Sequence, residues 1–279
     1  MLGEIAASGT ALAWGAADFC GGKASRRTSA QAVVVVSQLS SVPLLIVALW
    51  LTADKWPLTA DIGWGFLAGL SGGVGLLLLY RALAASVMSL VAPITAVAAA
   101  ALPLGIGLMI DQSPGTFGIL GAVVAVVAIA FFTAMPADSK TKLSGSIVGL
   151  SVAAGVAYGL YFTLLTPLSA DAGLWPLVGI RSGSLVLAVI LLAHTRSSLR
   201  LTGRTARWTV GAGALDIIAN AFYLAAAYYG ALSVVGPIAS LYPACTVLLA
   251  MAVDHERLRP MQFGALGLAA AALVLTHIG

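Results

Sequence analysis

Charged residues are scarce in this chain. Asp, Glu, Lys and Arg make up 9% of its 279 residues, whereas hydrophobic residues make up 60%. Ordinary soluble domains contain roughly 25% charged residues, because they have a polar surface to cover. The shortage excludes a soluble globular protein and predicts an integral membrane protein. We therefore expect the lipid bilayer, and not nucleic acid, to be the main partner of the chain.

Cysteine and histidine are also scarce. The two cysteines, Cys20 and Cys245, lie in apolar runs far apart in the sequence, which argues against a disulfide framework or a thiolate metal site. The three histidines, His194, His255 and His277, lie at the ends of apolar runs, and no acids are paired at metal-ligand spacing. These features argue against an intramembrane enzyme, and we expect neither a metal nor another cofactor.

Long apolar runs fill most of the chain. A helix needs roughly 20 apolar residues to cross the hydrocarbon core of a bilayer. Ten such runs, spans 1 to 10, cover residues 4–22, 31–52, 62–83, 88–110, 115–135, 145–166, 174–194, 208–230, 233–253 and 260–278. The sequence predicts an all-α integral membrane protein with ten transmembrane helices. A polar linker, residues 136–144, divides it into residues 1–135 and 145–279.

The second half of the chain repeats the first. Ser89, Val91, Pro93 and Ile94 match Ser233, Val235, Pro237 and Ile238 at one constant offset, and residues 11–15 match residues 155–159 at the same offset. Because each copy has five spans, an odd number, the two copies must enter the membrane in opposite directions. Two inverted five-helix repeats are typical of secondary transporters, whose binding site lies at the repeat interface near the midplane.

Lys and Arg are concentrated in the loops after odd-numbered spans. Those loops contain Lys23, Arg26, Arg27, Lys140, Lys142, Arg196, Arg200, Arg204, Arg207, Arg257 and Arg259, whereas the loops after even-numbered spans contain only Lys55. Loops rich in Lys and Arg stay in the cytoplasm. We therefore predict a multi-pass protein of the cell (inner) membrane with both termini on the non-cytoplasmic side.

Four polar side chains fall at membrane depth, where a charge costs at least ~2.5 kcal/mol on insertion scales. Asp216 and Asn220 are spaced i, i+4 in span 8 and share a helix face. They form either a polar wall of a transport cavity or a structural hydrogen bond to another helix. Asp18 in span 1 either has a function of the same kind, or forms an interfacial ion pair with the basic residues that follow it or anchors the end of its helix. Arg181 in span 7 either holds a substrate carboxylate or locks two helices through an acid.

Two aromatic residues occupy equivalent positions in the copies. Trp14 and Tyr158 lie near mid-span, away from the interfacial belts where Trp and Tyr usually gather. Their ring faces can line a pocket and attract an organic cation or stack on a planar solute, and ordinary packing is the alternative. Weaker candidates of the same kind are Tyr80, Tyr223 and Tyr242.

These features resemble the EamA family of the drug/metabolite transporter superfamily, which has two five-helix repeats, and the resemblance covers nearly the whole chain. Its motifs are the run from Trp14 to Gly22 (WGAADFCGG), the segment from Tyr80 to Pro93, Arg181, and Ser233 to Gly267 with Glu256 at an acidic turn. The first copy has Asp111 where Glu is usual. Gln38 lies near the place where an Arg is often found, and it joins the candidate substrate-binding residues.

The resemblance implies transport of a small-molecule substrate, such as an amino acid, another metabolite or a toxic compound. The nucleotide-binding motif GxxxxGK[ST] is missing, so energy comes from an ion gradient, from exchange or from the gradient of the solute. We expect a monomeric secondary transporter, an exporter or exchanger that works by alternating access. The proton is the expected coupling ion, carried first by Asp216 and second by Asp18. The alternatives are a multidrug or toxic-compound exporter and a non-transporting structural subunit.

Overall fold

The structure of the chain is a computed structural model. It describes residues 2–52, 58–109, 116–117, 120, 123–124, 127, 144–169, 172–195, 199–229, 238–239, 241–256, 260, 263–264, 267–268, 270–271 and 274–275; the side chains of residues 100 and 102–109 lie outside this description. Within these residues every regular element is an α-helix.

Eight helices have defined bounds. They are α1 (Leu2–Ser25), α2 (Ala30–Thr52), α3 (Thr59–Ala85), α4 (Met88–Met109), α5 (Gly145–Leu164), α6 (Pro176–Thr195), α7 (Gly203–Tyr229) and α8 (Tyr242–Val253). Helices α1 to α4 correspond to spans 1 to 4, and α5 to α8 correspond to spans 6 to 9. Spans 5 and 10 lie mostly outside the described residues, so the count of ten helices stays a prediction.

Five of the helices are long and apolar enough to cross a membrane: Ala30–Thr52, Thr59–Ala85, Gly145–Leu164, Pro176–His194 and Gly203–Tyr229, with mean hydropathies from 1.5 to 2.3. At about 1.5 Å per residue, a helix of 20 residues spans roughly 30 Å, the thickness of the hydrocarbon core. The chain is therefore a multi-pass membrane protein.

Two helix boundaries differ from the prediction. Helix α7 starts at Gly203, with φ of 50°, and not at residue 208, because a helix continues past its apolar part when its charged side chains can reach the interface. The sequence predicts span 9 over residues 233–253, with prolines that can kink it. In the structure Ile238 and Ala239 are helical, Leu241 is in a turn, and α8 begins at Tyr242 with Pro243 in its first turn. Proline is favoured there because it has no N–H to leave unpaired.

The two halves of the chain interleave. Helix α1 packs mainly on α7, α3 packs mainly on α6 and α5, and α4 packs on α5. Exchanging the predicted copies exchanges α1 with α5, α2 with α6, α3 with α7 and α4 with α8. The observed pairs respect this exchange, since α1 with α7 becomes α5 with α3, and α1 with α8 becomes α5 with α4. The bundle thus has an approximate twofold arrangement, and its main helix contacts join one half to the other.

Contacts between helices also show their directions. Gly9 lies beside Phe222 and Gly211 lies beside Cys20, so α1 and α7 are antiparallel. Gly72 lies beside Tyr161. Gly75, one turn further along α3, lies beside residues 154 and 158, one turn back along α5, so α3 and α5 are antiparallel as well.

The carboxyl ends of α1 and α3 meet, because Gly21 lies against Tyr80 and Gly22 lies against Leu83. Helices α1 and α3 therefore run in the same direction. It follows that α1 opposes its predicted counterpart α5, and α3 opposes its counterpart α7.

Glycines allow α3 and α6 to pack backbone against backbone. A Cβ at Gly69 would clash with the carbonyl oxygen of Ile180, and a Cβ at Gly183 would clash with the carbonyl oxygen of Phe66. Close approach through small residues is the usual way in which membrane helices associate, because lipid removes the hydrophobic driving force between them. This seam holds α6, and with it Arg181, at a fixed depth beside α3.

We expect Gly183→Ala to destabilise the protein, because the added Cβ meets a backbone oxygen that cannot move aside. The loss in the free energy of unfolding should be about 1–3 kcal/mol, measured by titrating the detergent-solubilised protein with SDS. The control is Gly149→Ala on α5, where a Cβ meets nothing within 4 Å. Equal stability of Gly183→Ala and the wild type would contradict the proposed seam.

Candidate functional site

A cavity lies inside the bundle, with walls from α1, α2, α3, α5, α6, α7 and α8. The space open to the centres of water molecules is about 70 Å³, against roughly 10–15 Å³ for one water. All of the predicted site residues except Tyr223 line it: Trp14, Asp18, Gln38, Tyr80, Tyr158, Arg181, Asp216, Asn220 and Tyr242. The fold therefore gathers residues from both halves of the chain around one small cavity.

Arg181 is buried on one wall, with 2% of its surface exposed. Its Nη2 donates to Asp216 Oδ2 at 3.0 Å, and its Nη1 donates to Gln38 Oε1. Ser184 Oγ, one turn along α6, donates to the same Gln38 oxygen at 2.8 Å. Of the two roles predicted for Arg181, this conformation shows the helix lock, which joins α6 to α7 and α2. Its Nε has no hydrogen-bond partner among the described residues.

Asn220 extends this network to α5. Its Nδ2 donates to the Asp216 carbonyl oxygen at 2.7 Å and approaches Asp216 Oδ1 at 3.2 Å. The Tyr161 hydroxyl donates to Asn220 Oδ1 at 2.5 Å. Sequence reasoning missed Tyr161, as it missed Ser184. The signal was their spacing, since each lies three residues after a predicted site residue and so shares its helix face.

Asp18 lines the cavity but does not take part in the hydrogen-bond network of Arg181, Asp216 and Asn220. It is 7% exposed, and within the described part of the chain it makes no hydrogen bond or ion pair. The predicted alternative, a pair with the basic residues that follow it, is wrong for Lys23 and Arg26, which pair with other acids. The carboxyl lies close enough to Asp216 for the two groups to interact electrostatically.

Aromatic rings surround the remaining walls. Trp14 packs edge-on against Phe162 at 5.9 Å and against Tyr242 at 6.2 Å between ring centroids. Tyr223 packs against Trp14 with the ring centroids 5.4 Å apart and the rings tilted by 37°, and it is absent from the cavity lining. Phe162 was not predicted, although it follows Tyr158 by four residues and shares its face. Tyr223 therefore supports the ring of Trp14, while Phe162 takes a place in the cavity.

An ion-pair cluster closes the end of the bundle where α1 and α3 finish. It consists of Lys23, Arg26, Asp254 and Glu256, and joins α1 to the end of α8. Arg26 contacts Asp254 Oδ2 at 3.0 Å and Glu256 Oε1 at 3.2 Å, and Lys23 pairs with Asp254. Arg26 also donates to the carbonyl oxygen of Leu83 at 3.2 Å. From the sequence, the two basic residues are indicators of membrane orientation and possible partners of Asp18, and not partners of Asp254 and Glu256.

Glu256 has a second contact that fastens α4 to the same end. Its carboxylate accepts hydrogen bonds from the backbone N–H groups of Met88 at 3.2 Å and Ser89 at 3.3 Å. These groups belong to the first turn of α4, whose N–H groups have no partner within the helix. One acid thus joins three helix ends.

Comparison with known proteins agrees with this architecture. The model of the EamA-like transporter family matches the chain twice, over residues 1–134 and 145–278. A solved structure, titled only as the crystal structure of a protein, aligns over 98% of this chain and 95% of its own with a TM-score of 0.62. At 12% identity, this likeness shows the fold alone. No curated protein shows a significant match. The two family matches together cover nearly the whole chain, which therefore belongs to the EamA-like transporter family, in the drug/metabolite transporter superfamily.

Proposed function

We propose that this chain is a secondary transporter, an exporter or exchanger, that moves a small organic solute by alternating access. The observation that carries the proposal is the cavity, which is lined by Asp18, Arg181, Asp216 and Asn220 and walled by both halves of the chain. Polar groups are costly inside a membrane protein and mark a pathway more often than a packed core. The opposed directions of α1 and α5 support the inverted-repeat design, in which the two copies rock about a central site.

In the alternating-access cycle that we propose, the ion-pair cluster of Lys23, Arg26, Asp254 and Glu256 is the gate that closes one end of the bundle. It ties α1, α4 and α8 together at one end of the bundle. The acids are largely buried, at 9% and 10% side-chain exposure, so the pairs are better shielded from water than ordinary surface salt bridges. Opening this end requires the α1 end to separate from the acids. On the predicted orientation this end faces the cytoplasm.

We propose that transport is coupled to protons. The sequence ranks Asp216 first and Asp18 second as proton carriers, and the contacts of the two residues favour the opposite order. Asp216 is paired with Arg181 at 3.0 Å, so its charge is already balanced in this conformation. Asp18 has no such partner among the described residues. A buried carboxylate without a partner must take up a proton, a cation or water, because an isolated charge in an apolar site costs several kcal/mol. Asp18 is therefore the first candidate carrier and Asp216 the second.

We expect neutralisation of the gate acids to open the α1 end of the bundle. The reporter is a cysteine at the cavity residue Ala17, in a background carrying Cys20→Ala and Cys245→Ala, reacted with a membrane-impermeant maleimide from that side. Asp254→Asn combined with Glu256→Gln should raise the labelling rate at least about fivefold, a shift of ~1 kcal/mol in the equilibrium. Arg81→Gln, which removes an exposed charge near the same end, is the control. An unchanged rate in the double variant would rule out the gate.

We expect solute movement to carry protons through Asp18. In proteoliposomes containing a pH-sensitive dye, the strongest ligand from a thermal-shift screen of metabolites should cause a proton flux with the wild type and not with Asp18→Asn. The matched control is Asp61→Asn, because Asp61 is also a buried acid and does not line the cavity. Its carboxylate accepts hydrogen bonds from the backbone N–H of Ser169 at 2.9 Å and from the Ser169 hydroxyl at 2.7 Å. A proton flux through Asp18→Asn as large as that of the wild type would remove this role, and solute flux without any proton flux would remove coupling altogether.

A further inference from the structure

We infer that the solute is an organic monocation with an aromatic or apolar body, and that its charged nitrogen binds Asp18. This inference rests on the proposed function, because it names the substrate class of the same cavity. It follows from the balance of charges in the cavity and from the rings that surround the unpaired carboxyl.

The charged groups of the cavity do not cancel. Arg181 and Asp216 pair at 3.0 Å and balance each other. Asp18 is 7% exposed and adds a carboxyl with no partner in the described part of the chain. When Asp18 is ionised the cavity therefore has a net charge of one negative unit, and a ligand with one positive charge neutralises it.

An anionic ligand fits the cavity poorly. Arg181 already donates from Nη1 to Gln38 and from Nη2 to Asp216, and its donor without a partner among the described residues, Nε, is buried. A carboxylate that bound the Nη groups would have to displace Asp216 or Gln38. Breaking a buried pair leaves the remaining charge uncompensated, at a cost of about 3–5 kcal/mol. The anion would also approach Asp18, which carries the same sign. Both effects favour a cation.

The walls near Asp18 have the chemistry that binds organic cations. The rings of Trp14, Tyr158 and Tyr242 line the cavity with it, and the faces of indole and phenol rings attract ammonium groups. The small residues Ala17, Gly72 and Gly73 also line the cavity, so side chains take little of its volume at those positions. A compact ammonium head beside the carboxyl, with an apolar body among the rings, satisfies both features.

A proton and the cation compete for the same carboxyl. Among the described residues, the titratable groups that interact with Asp18 are Tyr80 of α3, Tyr158 of α5, Asp216 of α7, and Tyr242 and Cys245 of α8. Arg181 of α6 lines the same cavity. Because Arg181 is held by Asp216, none of these supplies a free positive charge to Asp18. Where Asp18 is protonated, binding of the cation displaces the proton, which is the exchange that an antiporter uses.

The test is a set of four probes that share one ring and differ in charge. Phenethylamine is a cation near neutral pH, 2-phenylethanol is neutral, phenylacetate is an anion, and phenylalanine is a zwitterion. Binding to the purified full-length protein is measured by calorimetry. Phenethylammonium should bind at least about tenfold more tightly than 2-phenylethanol, a difference of ~1.4 kcal/mol, and phenylacetate should bind most weakly. Tighter binding of phenylalanine or phenylacetate, equal binding of all four, or no binding of phenethylammonium would overturn the inference.

The Asp18→Asn variant should lose the preference for phenethylammonium over 2-phenylethanol, whereas Asp61→Asn should keep it. If Asp18→Asn does not fold, the wild type still provides a decisive measurement. Calorimetry in two buffers of different ionisation enthalpy should detect proton release, and the affinity should fall about tenfold per pH unit where Asp18 is protonated. Affinity for phenethylammonium that does not change with pH would overturn the inference.

Transport assays separate this inference from the proposed function. If proteoliposomes exchange a neutral or anionic solute and phenethylammonium does not bind, the inference of a cationic substrate is wrong and the proposed transport function stands. Selective binding of phenethylammonium by a protein that moves no solute across vesicles would support the cation site and overturn transport.

Discussion

A guanidinium cannot lose its proton inside a membrane protein, and the arrangement of the bundle around Arg181 follows from this constraint. Its charge is met by Asp216 from α7 and by Gln38 from α2. Asn220 then continues the network from α7 to Tyr161 on α5. One buried charge therefore sets the mutual depth of four helices, α2, α5, α6 and α7. Of these, α2 belongs to the first half of the chain, and its Gln38 is 143 residues from Arg181.

The same interleaving makes the cavity sensitive to motion. The main helix contacts run between the halves, so neither half packs as an independent body in the described residues. Glycine seams such as that between α3 and α6 permit backbone contact and make those pairs stiff, because packed backbones have no side chains that can rearrange. Relative motion is then concentrated where polar contacts, and not glycine seams, join the helices. The Arg181 network and the ion-pair cluster at the α1 end are two such places.

The two copies of the repeat differ in one helix break and in the charged side chains that line the cavity. Helix α4 runs without a break from Met88 to Met109, whereas its counterpart is interrupted at Leu241 and restarts at Tyr242. The restart places Tyr242 beside Trp14 in the cavity. Asp18 has no acidic counterpart in α5, and Arg181 has no basic counterpart in α2. A site with one unpaired acid is possible only because the twofold arrangement of the backbone is not repeated in the side chains.

Composition and periodicity by themselves determined that the chain spans a membrane and contains a duplication. They also determined the approximate positions of the spans that correspond to the eight described helices, and which polar and aromatic side chains fall at membrane depth. These properties are local, because the length of an apolar run and the spacing of residues on a helix face depend only on residues that are close together in the sequence. Tertiary structure alone decided which side chains meet: Arg181 with Gln38 is a contact between residues 143 apart, and Lys23 with Asp254 joins residues 231 apart. It also decided that Asp18 has no hydrogen-bond or ion-pair partner among the described residues and that span 9 is interrupted at Leu241. Such pairings depend on how complete helix faces fit one another, and no short stretch of sequence contains that information.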